Sequence, residues 1–189
     1  YGGCKSITLV CVACASAGTV LGSVALTGVG VKLVGFVLAF SRGIPLIALF
    51  LVMIVSLILG MGLPTTGAYI LAAALGVPIL TTLGFPPLAA HMFVFYYAII
   101  SNITPPVALA AYAASSIAGS DANKTGFTAC KLGFLAFVTP FAFCYDQGIL
   151  LQLDLLGNCY GIIACIAACF GFGFAIMGYL NRPLAKWER

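Results

Sequence analysis

The chain has 189 residues, of which 63% are hydrophobic and 6% are charged, and its formal net charge is +4. Soluble domains carry about 25% charged residues, so eight basic and four acidic side chains are too few to cover a water-soluble surface of this size. The composition excludes a soluble domain, offers no basic patch for nucleic acid, and predicts an integral protein of the lipid membrane.

The predicted elements are helices, the usual way for a chain this apolar to cross lipid. A first span covers residues 6–29 and is rich in Gly, Ala and Ser, which allow close packing between membrane helices. A short apolar stretch at residues 31–40, flanked by Lys32 and Arg42, is expected to lie along the interface. Residues 43–120 then contain no Lys, Arg, Asp or Glu, which indicates membrane depth.

The next segment is predicted to be a helical hairpin over residues 44–80. Its first arm, residues 44–59, ends where three glycines and a proline fall within residues 60–67 and break the helix. Its second arm, residues 68–75, is closed by the Gly-Val-Pro of residues 76–78. Because this arm is too short to cross a hydrocarbon core of about 30 Å, we expect a re-entrant hairpin that turns back within the membrane.

A discontinuous helix is predicted over residues 87–118. Its halves are separated by the Ser-Asn-Ile-Thr-Pro-Pro of residues 101–106, where consecutive prolines remove two backbone donors. A loop at residues 119–125 precedes two further spans at about 127–145 and 157–180. The predicted fold is therefore an all-α, polytopic membrane protein, a single transmembrane domain with a re-entrant hairpin and a broken helix.

The two interruptions bring polar groups into an otherwise apolar region. Each frees backbone carbonyl oxygens, and their side chains add hydroxyls and one amide, at Thr65, Thr66, Ser101, Thr104 and Asn102. Neutral oxygens suit a small hard cation, and the N-termini of half-helices attract an anionic group, as in transporters with discontinuous helices. Because no carboxylate is nearby, we expect a monovalent cation rather than a proton relay. Ordinary structural kinks are the alternative.

The remaining reactive residues have structural interpretations. His91, the single histidine, is interpreted as a packing or interfacial residue. The Cys11–Cys14 pair is interpreted as small apolar helix residues, not as a zinc or redox site. Asp146 and Asp154 are expected to be solvated beside an outer loop. Since no nucleotide-binding or hydrolase motif is present, we expect a protein that is not an enzyme and that uses an ion gradient or another subunit as its energy source.

Two motifs, Gly-Met-Gly-Leu-Pro-Thr-Thr at residues 60–66 and Ser-Asn-Ile-Thr-Pro-Pro at residues 101–106, resemble the second hairpin and the following helix of the large membrane permease subunit of TRAP (tripartite ATP-independent periplasmic) transporters. The resemblance covers most of residues 15–151. Further segments that fit the family are residues 17–30, 88–96, 125–129 and 140–145.

The resemblance implies sodium-coupled uptake of a small organic acid that an extracytoplasmic substrate-binding protein delivers. It implies a Na⁺ site formed by backbone oxygens and one hydroxyl, at Gly62, Ser101, Val107 and Thr104. It also implies substrate or second-ion contacts at the hairpin tip and the break, at Pro64, Thr65, Thr66 and Asn102.

The family's permease consists of two inverted repeats, each with a hairpin and a broken helix. This sequence has one hairpin and one Pro-Pro break, so the resemblance implies that it is the C-terminal repeat of a longer permease. Its partner would be the remaining N-terminal part of the same permease, and the chain alone should not transport. No cofactor beyond Na⁺ is implied.

The basic residues predict the orientation in the inner membrane. Six fall on one face of the predicted topology: Lys5, Lys124, Lys131, Arg182, Lys186 and Arg189. Lys32 and Arg42 fall on the other face. By the positive-inside rule the first face, with the C-terminus, is cytoplasmic.

Two alternatives remain open. One is another hairpin-type ion-coupled transporter of anions, such as a citrate carrier. The other is a membrane protein outside secondary transport, such as a channel, an assembly factor or a membrane-embedded enzyme. Dependence on a soluble binding protein separates the first alternative from a TRAP permease.

Overall fold

The computed structural model describes residues 11–12, 15–16, 18–20, 22–23 and 26–177. In this part the chain is helical, with turns between the helices and no strand. The α-helices after Gly28 are α1 (Val29–Ser41), α2 (Pro45–Gly60), α3 (Thr65–Thr82), α4 (Pro87–Ile100), α5 (Leu109–Ala118), α6 (Ala122–Leu132), α7 (Phe134–Tyr145) and α8 (Leu155–Met177). Two 3₁₀ segments are Ser101–Ile103 and Gln147–Leu150.

Some sequence predictions fall outside the described residues. The first span, predicted over residues 6–29, is described only in part, and the described residues before Gly28 are helical. The basic residues that lie outside the described ranges are Lys5, Arg182, Lys186 and Arg189.

The core of the molecule lies among α2, α3 and α4, which pack on one another, with α7 against α4. Its largest buried side chains include Leu49, Ile79, Phe93 and Tyr97. The outward faces of these helices are apolar as well, as at Ile58, which is 60% exposed. Helices that are hydrophobic all round are typical of a membrane environment.

Within the described ranges, three helical stretches are long and apolar enough to cross a membrane: Thr65–Thr82, Ala122–Tyr145 and Leu155–Gly173. The last of these is part of α8, which occupies the position of the span predicted at residues 157–180. The second combines α6 and α7, which meet at Gly133. The single span predicted at residues 127–145 therefore has a break in its helix.

The second arm of the hairpin is longer than the sequence predicted. α3 has 18 residues, Thr65–Thr82, whereas the prediction was a short helix over residues 68–75. At about 1.5 Å per residue α3 is about 27 Å long, close to the thickness of the hydrocarbon core. The prediction that this arm is too short to cross a bilayer is therefore wrong, and its length does not distinguish a re-entrant hairpin from two crossing helices.

The helix continues through Gly76 and Pro78 because of its neighbours. A Cβ on Gly76 would lie 2.9 Å from Val94 Cγ2 and 3.1 Å from Val52 Cγ1, so this glycine is where α2 and α4 approach α3 closely. Pro78 lies inside α3 and cannot donate a backbone hydrogen bond to the carbonyl of Ala74, one turn earlier. Proline is tolerated in membrane helices where packing against neighbouring helices compensates for the lost backbone bond.

Two shorter segments have different bounds from those predicted. The loop predicted at residues 119–125 is shorter, because α6 begins at Ala122. Asp121 accepts a hydrogen bond from Lys124 N at 2.8 Å, which satisfies one free N–H at the start of the helix. The short apolar stretch predicted at residues 31–40 is α1, and its Val37 is buried where α1 packs on both hairpin arms.

Candidate functional site

The hairpin tip consists of residues 61–64, between α2 and α3. Gly62 has φ of +77°, a left-handed conformation that glycine adopts without steric cost. Pro64 is the N-cap residue of α3, with φ of −59°, and its fixed φ favours the start of a helix. The first N–H groups of α3, including those of Thr65 and Thr66, have no partner within the helix, so the tip presents backbone donors.

The second interruption separates α4 from α5. α4 ends at Ile100 and continues as the 3₁₀ segment Ser101–Ile103 before the helix resumes at Leu109. The polar side chains of the break bond back to carbonyls of α4: Ser101 Oγ to Ala98 at 2.6 Å, Thr104 Oγ1 to Ile100 at 2.8 Å and Asn102 Nδ2 to Ile99 at 3.3 Å. A hydroxyl that donates its proton keeps its lone pairs, so the hydroxyl oxygens of Ser101 and Thr104 can still accept a contact with a cation.

The two interruptions are in contact with each other. Gly60, the last residue of α2, lies against Ser101: a Cβ on Gly60 would be 2.5 Å from Ser101 Oγ. Two residues further on, Gly62 lies against Val107, with 3.8 Å between the corresponding Cβ position and Val107 Cγ1. The contact brings the C-terminal ends of α2 and α4 next to the N-terminal ends of α3 and α5.

A cleft of about 490 Å³ lies at this meeting point. Residues of the tip and of the broken helix line it, together with residues of the N-terminal helical part: Val12, Ser16, Gly62, Leu63, Pro64, Thr65, Asn102 and Leu109. None of these residues is charged, so any ion or anionic group in the cleft would be held by backbone groups, hydroxyls and an amide.

Half of the eight predicted site residues line the cleft. Gly62, Pro64, Thr65 and Asn102 line it. The other four do not. Ser101 is buried under Gly60, Val107 touches Gly62, Thr104 is half-buried beside the break, and Thr66 is exposed.

The backbone carbonyls at the contact differ in the hydrogen bonds that they accept. Within residues 26–177 no backbone amide donates to the carbonyl oxygen of Gly62 or of Val107. The Ser101 carbonyl accepts from Thr104 N at 3.2 Å, and a carbonyl has a second lone pair. Within residues 26–177 the carbonyls of Met61, Leu63 and Ile103 likewise accept no backbone amide. Gly62 and Val107 therefore contribute two of several such oxygens where the interruptions meet.

Sequence reasoning missed the third wall of the cleft. Val12 and Ser16 line it, and since they are four residues apart they share one face of a helix. The signal in the sequence is a hydroxyl within a span rich in Gly, Ala and Ser, a composition that also favours close helix packing. Tyr112 was also missed: its hydroxyl donates to the Pro106 carbonyl at 2.6 Å and so fixes the end of the break.

His91 lies away from the cleft, on the face that α4 turns toward α3. Its Nδ1 is 2.8 Å from the Tyr69 hydroxyl, and the Tyr69 ring packs edge-on against Phe95. Among the described residues, no three His, Cys, Asp or Glu side chains come together in a way that could hold a metal ion. The contacts of His91 join the second hairpin arm to α4.

A comparison with protein-family models gives a match to the family described as "Tripartite ATP-independent periplasmic transporter, DctM component", over residues 2–153. The chain belongs to this family. The matched region includes both interruptions and every residue of the cleft. No curated protein and no solved structure gave a significant match.

Membership confirms the TRAP resemblance seen in the sequence. The DctM component is the permease of a secondary transporter, so the chain is a multi-pass protein of the inner membrane and its family is one of transporters, not enzymes. All of α8 lies beyond the matched region, whereas the cleft lies entirely within it.

Proposed function

We propose that this chain forms one wall of the transport site of a TRAP permease that couples Na⁺ to the import of a small organic acid. The observation that carries the proposal is the contact of the two interruptions, Gly60 with Ser101 and Gly62 with Val107, beside an uncharged cleft. Irregular backbone at membrane depth is tolerated only where it is buried in protein or lines a wet cavity; here Ser101 is buried and Gly62 lines the cleft.

The proposed Na⁺ ligands are neutral oxygens: the carbonyls of Gly62, Ser101 and Val107 and the hydroxyl of Thr104. Hard cations prefer oxygen ligands, and the Gly62 and Val107 carbonyls accept no amide within residues 26–177. Thr104 donates its proton to the Ile100 carbonyl, which turns its lone pairs away from that carbonyl. A set without a carboxylate is suited to a single positive charge.

The organic acid is proposed to bind at the start of α3. The N–H groups of Thr65 and Thr66 and the positive end of the helix dipole attract a carboxylate. Pro64 and Thr65 line the cleft, with Asn102 opposite. A volume of about 490 Å³ lies within the range of small-molecule sites, about 300–1,000 Å³.

The proposed partners follow from the family. An extracytoplasmic binding protein would deliver the acid, and another part of the permease, related by an inverted repeat, would supply the opposite wall of the cleft. The N-terminal helical part already contributes Val12 and Ser16. We infer that transport requires all of these components.

We propose that the hairpin is re-entrant because of the position of its tip, and not because of the length of its second arm. Its tip touches the middle of the element formed by α4 and α5. If that element crosses the membrane, the tip lies near mid-depth and both arms reach it from the same side. With Lys124 and Lys131 on the cytoplasmic side, that side is the outer one, and the C-terminus is cytoplasmic.

The test is Thr104→Ala in the complete permease, reconstituted with its binding protein in liposomes. We expect about a tenfold or greater rise in the sodium concentration for half-maximal uptake, since misplacing or losing one ligand of a small site has effects of this order. Expression and folding should change little.

Thr139→Ala is the matched control, because Thr139 also donates to the carbonyl four residues before it, at 2.9 Å, and is partly buried, but lies in α7 away from the cleft. It should leave the sodium dependence unchanged. If the rate of uptake changed neither when sodium is removed nor in the Thr104→Ala variant, the proposed function would be refuted. Uptake that needs no binding protein would favour another hairpin-type carrier.

A further inference from the structure

Gly60 is a point of very close approach between the hairpin and the broken helix. A Cβ on Gly60 would lie 2.5 Å from Ser101 Oγ, 3.0 Å from Ser101 Cβ and 3.0 Å from the Ala98 carbonyl oxygen. Gly60 is buried and belongs to α2, where any residue can adopt the backbone conformation. Its requirement for glycine is therefore steric, unlike that of Gly62, whose φ is +77°.

The atoms that Gly60 faces cannot move aside at low cost. Ser101 is 1% exposed, and its hydroxyl donates to the Ala98 carbonyl at 2.6 Å. Turning the hydroxyl away would break this bond and leave a buried polar group without a partner, which costs about 1–3 kcal/mol. The Ala98 carbonyl is part of the α4 backbone, so α2 and α4 would have to separate instead.

We propose that Gly60 is a positioning residue that sets the distance between the hairpin tip and the break, and through it the affinity of the Na⁺ site. Gly62 follows Gly60 by two residues and lies against Val107, so a displacement at Gly60 also moves the Gly62 carbonyl away from those of Ser101 and Val107. Ligand distances at a metal site are fixed to within about 0.2 Å. A methyl group at position 60 would therefore weaken sodium binding without touching the ion. This inference rests on the function proposed above.

Gly76 provides a matched comparison in the same hairpin. A Cβ on Gly76 would lie 2.9 Å from Val94 Cγ2 and 3.1 Å from Val52 Cγ1, so alanine there also meets a packed helix interface. Its neighbours are apolar side chains of α2 and α4, and Gly76 lies three turns into α3, away from the tip. Alanine at position 76 should disturb packing alone.

The experiment compares Gly60→Ala and Gly76→Ala in the complete permease. Two quantities are measured: the sodium concentration for half-maximal uptake, and the rise in melting temperature that NaCl produces over KCl, since a ligand stabilises the state that binds it. Both variants should lower the melting temperature in KCl. Gly60→Ala should raise the half-maximal sodium concentration about tenfold, because a displacement near 1 Å costs up to about 100-fold, whereas Gly76→Ala should leave the sodium response at the wild-type value.

A compensating substitution sharpens the test. Gly60→Ala combined with Ser101→Gly removes both Ser101 atoms that the methyl group would meet, and glycine retains the carbonyl proposed as a ligand. The double variant should recover at least part of the sodium response, and it also serves if Gly60→Ala alone does not fold.

The outcomes separate this inference from the proposed function. A wild-type sodium response in Gly60→Ala, an equal loss in Gly60→Ala and Gly76→Ala, or a double variant no better than Gly60→Ala would overturn the positioning role and leave the proposed function standing. If the wild-type permease does not respond to sodium in either measurement, the proposed function fails and this inference fails with it.

Discussion

The hairpin contains two stretches with glycine and proline close together, and only one of them interrupts a helix. At the tip, α2 ends at Gly60 and α3 begins after Pro64. More than three helical turns into α3, Gly76 and Pro78 lie inside the helix and it continues. Residue composition alone does not explain the difference.

The surroundings explain it. Gly62 has a left-handed φ of +77°, is exposed and lines the open cleft. Gly76 is enclosed by Val52 and Val94, and Ile79 and Leu80 beside it are fully buried. In lipid, helices associate through van der Waals packing, and this packing offsets the cost of about 3 kcal/mol for proline inside a helix.

The largest effect on stability is expected from a large side chain at Gly76. Gly76→Leu would place a large side chain where even a Cβ comes within 2.9 Å of Val94, and overpacking of this kind costs about 1–3 kcal/mol or more. We expect it near the top of that range, measured as loss of thermal stability in detergent. Gly35→Leu is the control, since nothing lies within 4 Å of a Cβ on Gly35. If both variants had the same melting temperature, the claim that Gly76 is closely packed would be contradicted.

A smaller effect is expected at the tip. Gly62→Ala forces an L-residue into a left-handed conformation at a cost of about 1–2 kcal/mol in folding stability. Because Gly62 is a proposed Na⁺ ligand, sodium-dependent uptake should also fall, and by more than the loss of folded protein accounts for. Gly62→Asn should lose less than Gly62→Ala, since asparagine tolerates this conformation better. Melting curves and sodium-dependent uptake of the two variants check this order. Equal stability of Gly62→Ala and the wild type would contradict the strained turn.

The smallest effect is expected at Pro78. Because α3 is helical on both sides of this residue, alanine would restore a backbone donor without changing the course of the chain. We expect a stabilisation of about 1 kcal/mol, below the full difference in helix propensity of about 3 kcal/mol, because the neighbouring helices have adapted to the proline. Thermal unfolding measures it. A clear destabilisation would mean that Pro78 ends the helix after all, as the sequence had predicted.

Sequence patterns located the two helix interruptions better than they located the helices around them. The tip and the Ser-Asn-Ile-Thr-Pro-Pro break were recognisable because proline and left-handed glycine act on their own backbone, whatever surrounds them. The length of α3 and the close contact of Gly60 with Ser101 were not recognisable. Both depend on contacts between residues that lie far apart in the chain.

The cleft shows the same division. Gly62, Pro64, Thr65 and Asn102 were predicted as site residues, and all four line it. Ser16 was not predicted, although it lines the same cleft, because a serine that bonds to its own helix, as Ser16 does to the Val12 carbonyl at 2.8 Å, looks the same whether it faces lipid, protein or a ligand.

The sequence by itself determined the solvent of this protein, its helical class, its family and the two places where backbone is released from helices. These follow from composition and from residues whose effects are local. Only the tertiary structure decided that the released segments meet, that Gly60 sits against Ser101, and that a proline in the middle of α3 does not end it. Packing between distant helices decides such points, since a helix in lipid ends or continues according to what lies beside it.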